Sequence, residues 1–447
     1  MKKPALTISP LTILSFVALG FLITPQTSQA GWMKTYGGFE GDARNSVKQT
    51  KDGGYIVTGP GLWLAKTDSL GNTIWTHVYP GGRGRQGACV CETSDGGYAI
   101  TGTQAGGWLT AATLVIKTDS IGDTVWSQLY SQGLDYGSCI IEAEEGYVVA
   151  TNTWEIIKLD DTGNVLWSRD SIWEEGYWVC KTSDGGYVVT GNKISHLLLF
   201  KTNAQGKEIW YKIYGNSPNQ AEVGYWVTET YDKGFFVAGK KNNSQNLWLL
   251  KTDSLGDTLW TISLESAVAR AADMTYDSGF VVAGYCWEAN FNYPDVLLLK
   301  TDSSGKLLWT RTFGGDSLDK AYSVQETSDK GFIISGYTES FEEGKSYLCL
   351  IKTDSLGNVG VEEKPVAEQW ATCRLLSPIG KEIVLQYTGY PRGFHADIFD
   401  ASGRKVDEIQ TPQTHGAIQW GGGRGPGVYF IVSDKDPRQV YKVILVK

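Results

Sequence analysis

The sequence predicts an all-β protein: a seven-bladed β-propeller closed by an N-terminal strand, followed by a small Ig-like β-sandwich. Three observations predict it. A Gly-aromatic pair recurs at Gly54-Tyr55, Gly97-Tyr98, Gly146-Tyr147, Gly186-Tyr187, Gly234-Phe235, Gly279-Phe280 and Gly331-Phe332. A lysine ahead of a turn recurs at Lys66, Lys117, Lys158, Lys201, Lys251, Lys300 and Lys352. Tryptophans close the repeats at Trp75, Trp126, Trp167, Trp210, Trp260 and Trp309, spaced 41 to 51 residues apart. A period of about 40–50 residues accommodates four short strands, the size of a propeller blade. The last repeat runs from Lys352 to Val361 without a tryptophan, whereas Trp32 stands in a strand with no repeat before it. A ring explains both facts, because the first strand can complete the last blade. An open solenoid requires no such exchange.

Taken in order, residues 1–30 read as a signal peptide. Lys2 and Lys3 supply a positive start, Leu11 to Ile23 an apolar stretch, and Ser28-Gln29-Ala30 a small-residue end. The stretch falls short of the roughly twenty apolar residues that span a bilayer, and no later segment is apolar for long enough. No transmembrane span is therefore expected in the exported chain. Its removal takes the formal charge from −9 to −11. An acidic chain without a basic run gives no reason to expect nucleic acid, which is bound through clustered Lys and Arg.

Residues 31–360 form the predicted propeller. In the last full repeat, 321–327 reads as inner strand A, 331–336 as B, 347–352 as C, and the Trp segment as outer strand D. B and C strands are continuous apolar runs, such as Phe280-Val281-Val282-Ala283 and Val296-Leu297-Leu298-Leu299, as suits strands covered on both faces. Asp-Gly-Gly and Ser-Leu-Gly-Asn supply the positive φ angles of tight hairpins. Trp32, Trp75, Trp126, Trp167, Trp210, Trp260 and Trp309 are read as structural, placed between blades.

The A–B and C–D turns share one face and barely vary. The B–C and D–A loops share the other and do vary, which is where binding residues tend to sit. The B–C loops contribute Trp108, Tyr285, Trp287 and Tyr293, and the D–A loops contribute Arg83, Arg85, Asp135, Trp173 and Glu174, together with Arg270 and Asp316. Aromatic rings beside charged groups suit a carbohydrate or a peptide, since a flat face stacks while charge fixes orientation. Seven cysteines, an odd number, make no disulfide framework, and four scattered histidines make no metal site. No metal and no cofactor are expected.

After Gly360 the repeat stops. Residues 361–370 read as a linker, and 371–447 as short strands separated by Ser402-Gly403 and by the glycines from Gly421 to Gly427.

Two family resemblances follow from particular residues. Leu159-Asp160-Asp161-Thr162-Gly163-Asn164-Val165-Leu166-Trp167 resembles the repeat of quinoprotein dehydrogenases and of related non-catalytic outer-membrane assembly propellers. The resemblance implies the scaffold. The adjacent cysteine pair of the catalytic members is absent, so it implies no quinone site. Asp397 to Val406, Pro426-Gly427-Val428-Tyr429-Phe430 and Lys442 to Lys447 resemble the C-terminal sorting domain of type IX secretion cargo, with Gly403, Arg404, Gly427, Tyr429 and Lys447 as matching positions. Ser377-Pro378 stands where that family has Asn-Pro. The resemblance implies an outer-membrane secretion machinery as partner, and a secreted or cell-surface destination. The function expected is a non-catalytic binding or adhesion propeller that presents its loops to a glycan or protein. The alternatives are a polysaccharide-acting hydrolase on the same face, using an acid such as Asp135 or Glu174, and a structural surface protein.

Overall fold

A computed structural model describes residues 31–39, 45–80, 89–107, 110–133, 136–153, 155–169, 175–215, 221–241, 246–287, 293–340, 345–360, 372–377, 379–388, 394–413, 416–433 and 440–446. The signal-peptide and linker segments lie outside them, as do Arg83, Arg85, Trp108, Asp135, Trp173, Glu174 and Lys447. The chain divides into two units, residues 1–360 and 361–447. No helix among the described residues is long and apolar enough to cross a membrane.

Local chemistry repeats through the first unit and produces the same four-stranded antiparallel sheet each time. Among the described residues there are seven such sheets. The first runs Ser46–Gln49, Tyr55–Gly59, Trp63–Thr67, Thr73–Val78, and the sixth Ala267–Met274, Phe280–Cys286, Asp295–Thr301, Leu307–Phe313. In the seventh, Asp319–Glu326, Phe332–Thr338 and Ser346–Thr353 come from the end of the repeat. The fourth strand is Trp32–Phe39, which pairs antiparallel with Ser346–Thr353 from Trp32 opposite Lys352. Inner strands touch in sequence order, and that of the seventh sheet returns to the first. Val47 N–H donates to Ser323 Oγ at 3.3 Å, Gln49 N–H to Gln325 Oε1 at 2.8 Å, and Asn45 Nδ2 to the Gly336 carbonyl at 2.9 Å. The result is a β-propeller of four-stranded sheets with an inner strand A and an outer strand D. One of the expected loops is absent: strands B and C of the second sheet extend to Tyr98–Gly107 and Thr110–Thr118, so Gly106 and Gly107 belong to a long hairpin.

Two devices hold each sheet to itself and to the next. In six of the seven, the buried strand-C lysine reaches the Asp of the A–B turn: Lys66 to Asp52, Lys117 to Asp95, Lys201 to Asp184, Lys251 to Asp232, Lys300 to Asp277, and Lys352 to Asp329, at 2.8–2.9 Å. The same Asp in the first sheet accepts from Thr50 Oγ1 and the Gly54 N–H, so one carboxylate fixes turn and strand together. The third sheet has Glu144-Glu145 there, and Lys158 donates to their two carbonyls instead.

The second device joins neighbours. Each repeat Trp lies against the positive-φ glycine of the next sheet's C–D turn. A Cβ added at Gly71, Gly122, Gly163, Gly206, Gly256, Gly305 or Gly357 would fall 2.5–3.0 Å from Trp32, Trp75, Trp126, Trp167, Trp210, Trp260 or Trp309 respectively. Only glycine admits both the backbone angle and the ring. Each Trp also meets the aromatic of the Gly-aromatic pair on that neighbour, Tyr55 through Phe332, with ring centroids 5.6–6.2 Å apart. The clasp recurs at seven places among the described residues, one of them made by Trp32.

In the second unit, Thr372–Ser377, Ile383–Thr388 and Gly416–Trp420 form a three-stranded sheet. A five-stranded sheet runs Ile379–Gly380, Val440–Leu445, Gly427–Ser433, Phe394–Asp400, Lys405–Thr411. Ile383, Leu385, Tyr387, Phe394, Ile398, Ile431 and Val443 make their shared core.

Candidate functional site

The inner strands build a site that the loops were expected to hold. In five consecutive sheets strand A carries a β-bulge near its start, and the residues that drop out of the pairing are Ser138, Tyr177, Tyr225, Arg270 and Tyr322. A bulge re-aims a side chain away from the pleat. These five converge with Asn45, which precedes the first inner strand, on a cavity of about 60 Å³. That volume holds a few waters or one carboxylate, not a sugar ring.

Arg270 is the charge in it. Its guanidinium carbon lies 4.2 Å from the Tyr225 ring centroid, 5.5 Å from Tyr285 and 5.7 Å from Tyr322. Nη2 donates to Tyr285 Oη at 3.2 Å. Nε is buried without a hydrogen-bond partner, and no carboxylate among the described residues pairs with Arg270. An arginine that cannot shed its proton, held on aromatic faces with no carboxylate partner among the described residues, is poised for an external anion. Glu175, nearby in sequence at the start of the fourth inner strand, accepts a hydrogen bond from Tyr177 Oη.

Three residues further along the inner strands, about 10 Å down the axis, stand Lys48, Cys91, Ile141, Cys180, Thr228, Asp273 and Gln325. The Lys48 charge acts on Cys89, Cys91, Cys139, Cys180 and Asp273, groups carried by four other inner strands. Burial pushes the Asp273 carboxyl up, against the Lys48 charge and two backbone donors, Glu326 N–H at 2.9 Å and Met274 N–H at 3.0 Å. Burial also pushes Cys91 and Cys349 up to about 12. Cys349 is buried and Cys91 partly buried, and at neutral pH both thiols keep their protons. Cys89 and Cys139 are buried side by side, with sulfurs 3.9 Å apart.

Tyr285 and Arg270 are corrected in position: neither is a loop residue. Tyr285 is buried in strand B of the sixth sheet, and Arg270 is in strand A. The alternation of a short apolar strand gave no sign of the bulge. Trp287 follows strand B, half-buried, with its ring 5.2 Å from that of Tyr285, and Tyr293 is exposed. The structure therefore brings Tyr285 and Trp287 to the Arg270 cluster. Of the sorting-motif positions, Gly403 and Arg404 lie in a turn where Asp400 accepts from Ser402 and Arg404 N–H, and Tyr429 donates to the Gly425 carbonyl at 2.9 Å. The other grouping with metal-ligand character among the described residues, His395, Asp397 and Glu408, already holds the Lys405 ammonium, 2.6 Å from Asp397 and 2.8 Å from Glu408.

No protein-family profile matches the chain, and no curated protein matches it. Among solved structures it is similar to BamB from Moraxella catarrhalis, at 11% identity over 72% of this chain and 100% of that one, with a TM-score of 0.42. The C-terminal WD40 domain of Sif2 gives 9% identity, 72% and 99% coverage, and 0.44. The extracellular domain of the two-component system BT3049 from B. thetaiotaomicron gives 9%, 92% and 57%, and 0.47. Likenesses this distant carry no argument about ligand or activity.

Proposed function

We propose that the chain is an exported, seven-bladed β-propeller that acts as a non-catalytic binding module, with an Ig-like sandwich as its sorting tail. The observation that supports binding is the cationic, tyrosine-walled mouth of the central channel, where five bulges turn their side chains inward. Seven four-stranded sheets in cyclic contact support the blade count. The two packed sheets of residues 372–446 support the Ig-like reading, and the sorting role rests on Gly403, Arg404, Gly427, Tyr429 and Lys447. On this reading Trp287 and Tyr293 extend the mouth outward as stacking faces for a glycan, and Arg83, Arg85, Trp108, Asp135, Trp173 and Glu174 belong to the same face.

The test is thermal melting of the full chain against a polysaccharide panel. A ligand that prefers the folded state raises the midpoint, by about 2.7 kcal/mol of stability at a hundredfold excess over Kd. A shift with one glycan class, lost in Trp287→Ala, is expected. The absence of a shift across the panel overturns the glycan reading. Secretion of the chain cut after residue 360 as efficiently as the whole would overturn the sorting role.

A further inference from the structure

We infer that Arg270 is the anchor of a carboxylate-binding subsite, and that the ligand's anionic group is the carboxylate of a uronic-acid glycan. The inference deepens the binding reading above and rests on it.

Three features define the chemistry. The first is an unsatisfied cation. Arg270 spends Nη2 on Tyr285 and leaves a buried Nε without a partner, while Asp273, the acid on the same strand, accepts from the Glu326 and Met274 N–H groups instead. A guanidinium fork matches a carboxylate with two parallel hydrogen bonds, and in a half-buried site such pairs are strong. Leaving this cation in the wall without a ligand costs desolvation that the ring faces of Tyr225, Tyr285 and Tyr322 and the single hydrogen bond to Tyr285 Oη offset in part.

The second is size. A cavity of about 60 Å³ accepts one carboxylate and excludes the ring that carries it. The sugar must then lie outside, on the rim. The third is what the rim offers. Tyr285 and Trp287 meet edge to face at 5.2 Å, so an aromatic surface continues from the cation to half-buried Trp287, and Tyr293, where strand C is approached, is exposed. The wall combines the aromatic faces of Tyr177, Trp178, Tyr225 and Tyr322 with polar groups from Ser138 and Asn45. That composition suits a polyol, which needs stacking and hydroxyl partners, better than a peptide, which needs a free strand edge or an apolar pocket. The net charge of −9 on the whole chain makes a local cation the means by which an anionic glycan is accepted.

The experiment is calorimetric titration of the full-length protein with trigalacturonate, with its methyl ester, and with hexaglutamate, each also against Arg270→Gln and Arg270→Lys. The expected result is binding of trigalacturonate, with the methyl ester and Arg270→Gln each weaker by about ten- to a hundredfold, the range of a lost charge-assisted pair. Arg270→Lys keeps the charge without the fork and loses less. Should Arg270→Gln fail to give a wild-type melting transition, Arg270→Lys and the methyl ester decide alone. Equal affinity for acid and ester, or an unchanged Arg270→Gln, overturns the subsite while leaving a glycan-binding propeller in place. Hexaglutamate binding tighter than trigalacturonate overturns the glycan source. No binding of any of the three overturns the subsite, and a melting shift with neutral polysaccharides then tells that failure apart from failure of the binding role.

Discussion

Replacing Trp32 with Ala removes the clasp that joins the N-terminal strand to the first sheet. The ring is buried, its edge lies within 2.5 Å of where a Gly71 Cβ would stand, it meets Tyr55 at 5.9 Å, and its Nε1 donates to the Ser69 carbonyl at 3.3 Å. A buried Trp removes about 150–250 Å² from water, which at about 25 cal/mol/Å² is about 4–6 kcal/mol, less about 10–40% for a compact unfolded chain. The expected loss is about 3–5 kcal/mol, as in other large-to-Ala core changes. Against a typical total of about 5–15 kcal/mol this is a large fraction. With a urea dependence of about 3 kcal/mol/M, the midpoint should fall by about 1–2 M. Urea unfolding followed by far-ultraviolet circular dichroism reads it, with exposed Ile74→Ser as a control expected within about 0.5 kcal/mol. A midpoint that moves no more than the control would refute ring closure by the N-terminal strand, since the remaining sheets would then be stable without it.

Two further outcomes follow from the repeated devices. Gly305→Ala and Gly185→Ala both force alanine to a positive φ, of 86° and 81°, at about 1–2 kcal/mol. Only Gly305 adds a Cβ 3.0 Å from Trp260, so its denaturation midpoint should fall further, and equal losses would show that the clasp yields freely. Acid should lower the melting temperature of the propeller between about pH 4 and pH 2, by an amount that solvent exposure of these carboxylates keeps modest. Burial works against the charge of Asp52, Asp95 and Asp184, but hydrogen bonds from Lys, Thr and a backbone N–H, with the Lys charge, outweigh it and hold each near 2. A carboxyl depressed in the folded state stabilises above its unfolded value of about 3.9 and loses that contribution as pH falls through the folded one. A melting temperature flat from pH 5 to pH 2 would contradict the pairing.

The scaffold is legible in the sequence because its chemistry is local and repeated. Asp and Gly must sit in the turn, the Lys must stand one strand away, and apolar runs must fill strands B and C, so seven imperfect copies spell out the four-stranded sheets. The mouth of the channel is not written as a repeat: Asn45, Ser138, Tyr177, Tyr225, Arg270 and Tyr322 share a position but range from amide and hydroxyl to phenol and guanidinium. The last five share a bulge, which depends on the partner strand and leaves no periodic trace. Arg270 therefore reads from sequence as a loop residue, and Tyr285 does so for a different reason, because strand B continues in register past the apolar run to Cys286.

That contrast bears on where selection for binding can act. A clasp residue is constrained from two sheets at once: Gly305 by its own φ and by Trp260, and Phe280 by that Trp and by Phe236, stacked at 3.8 Å. Changing either costs the interface on which the ring depends. The bulged position is constrained by neither, because it has left the ladder and faces the axis, so it can be Ser, Tyr or Arg without disturbing a sheet pairing. A ring that repeats its clasps seven times therefore leaves a rosette of independently adjustable side chains at its centre. Arg270, set among tyrosines and without a counter-ion among the described residues, is the member of that rosette whose cost to the fold is hardest to explain unless a ligand supplies the missing charge.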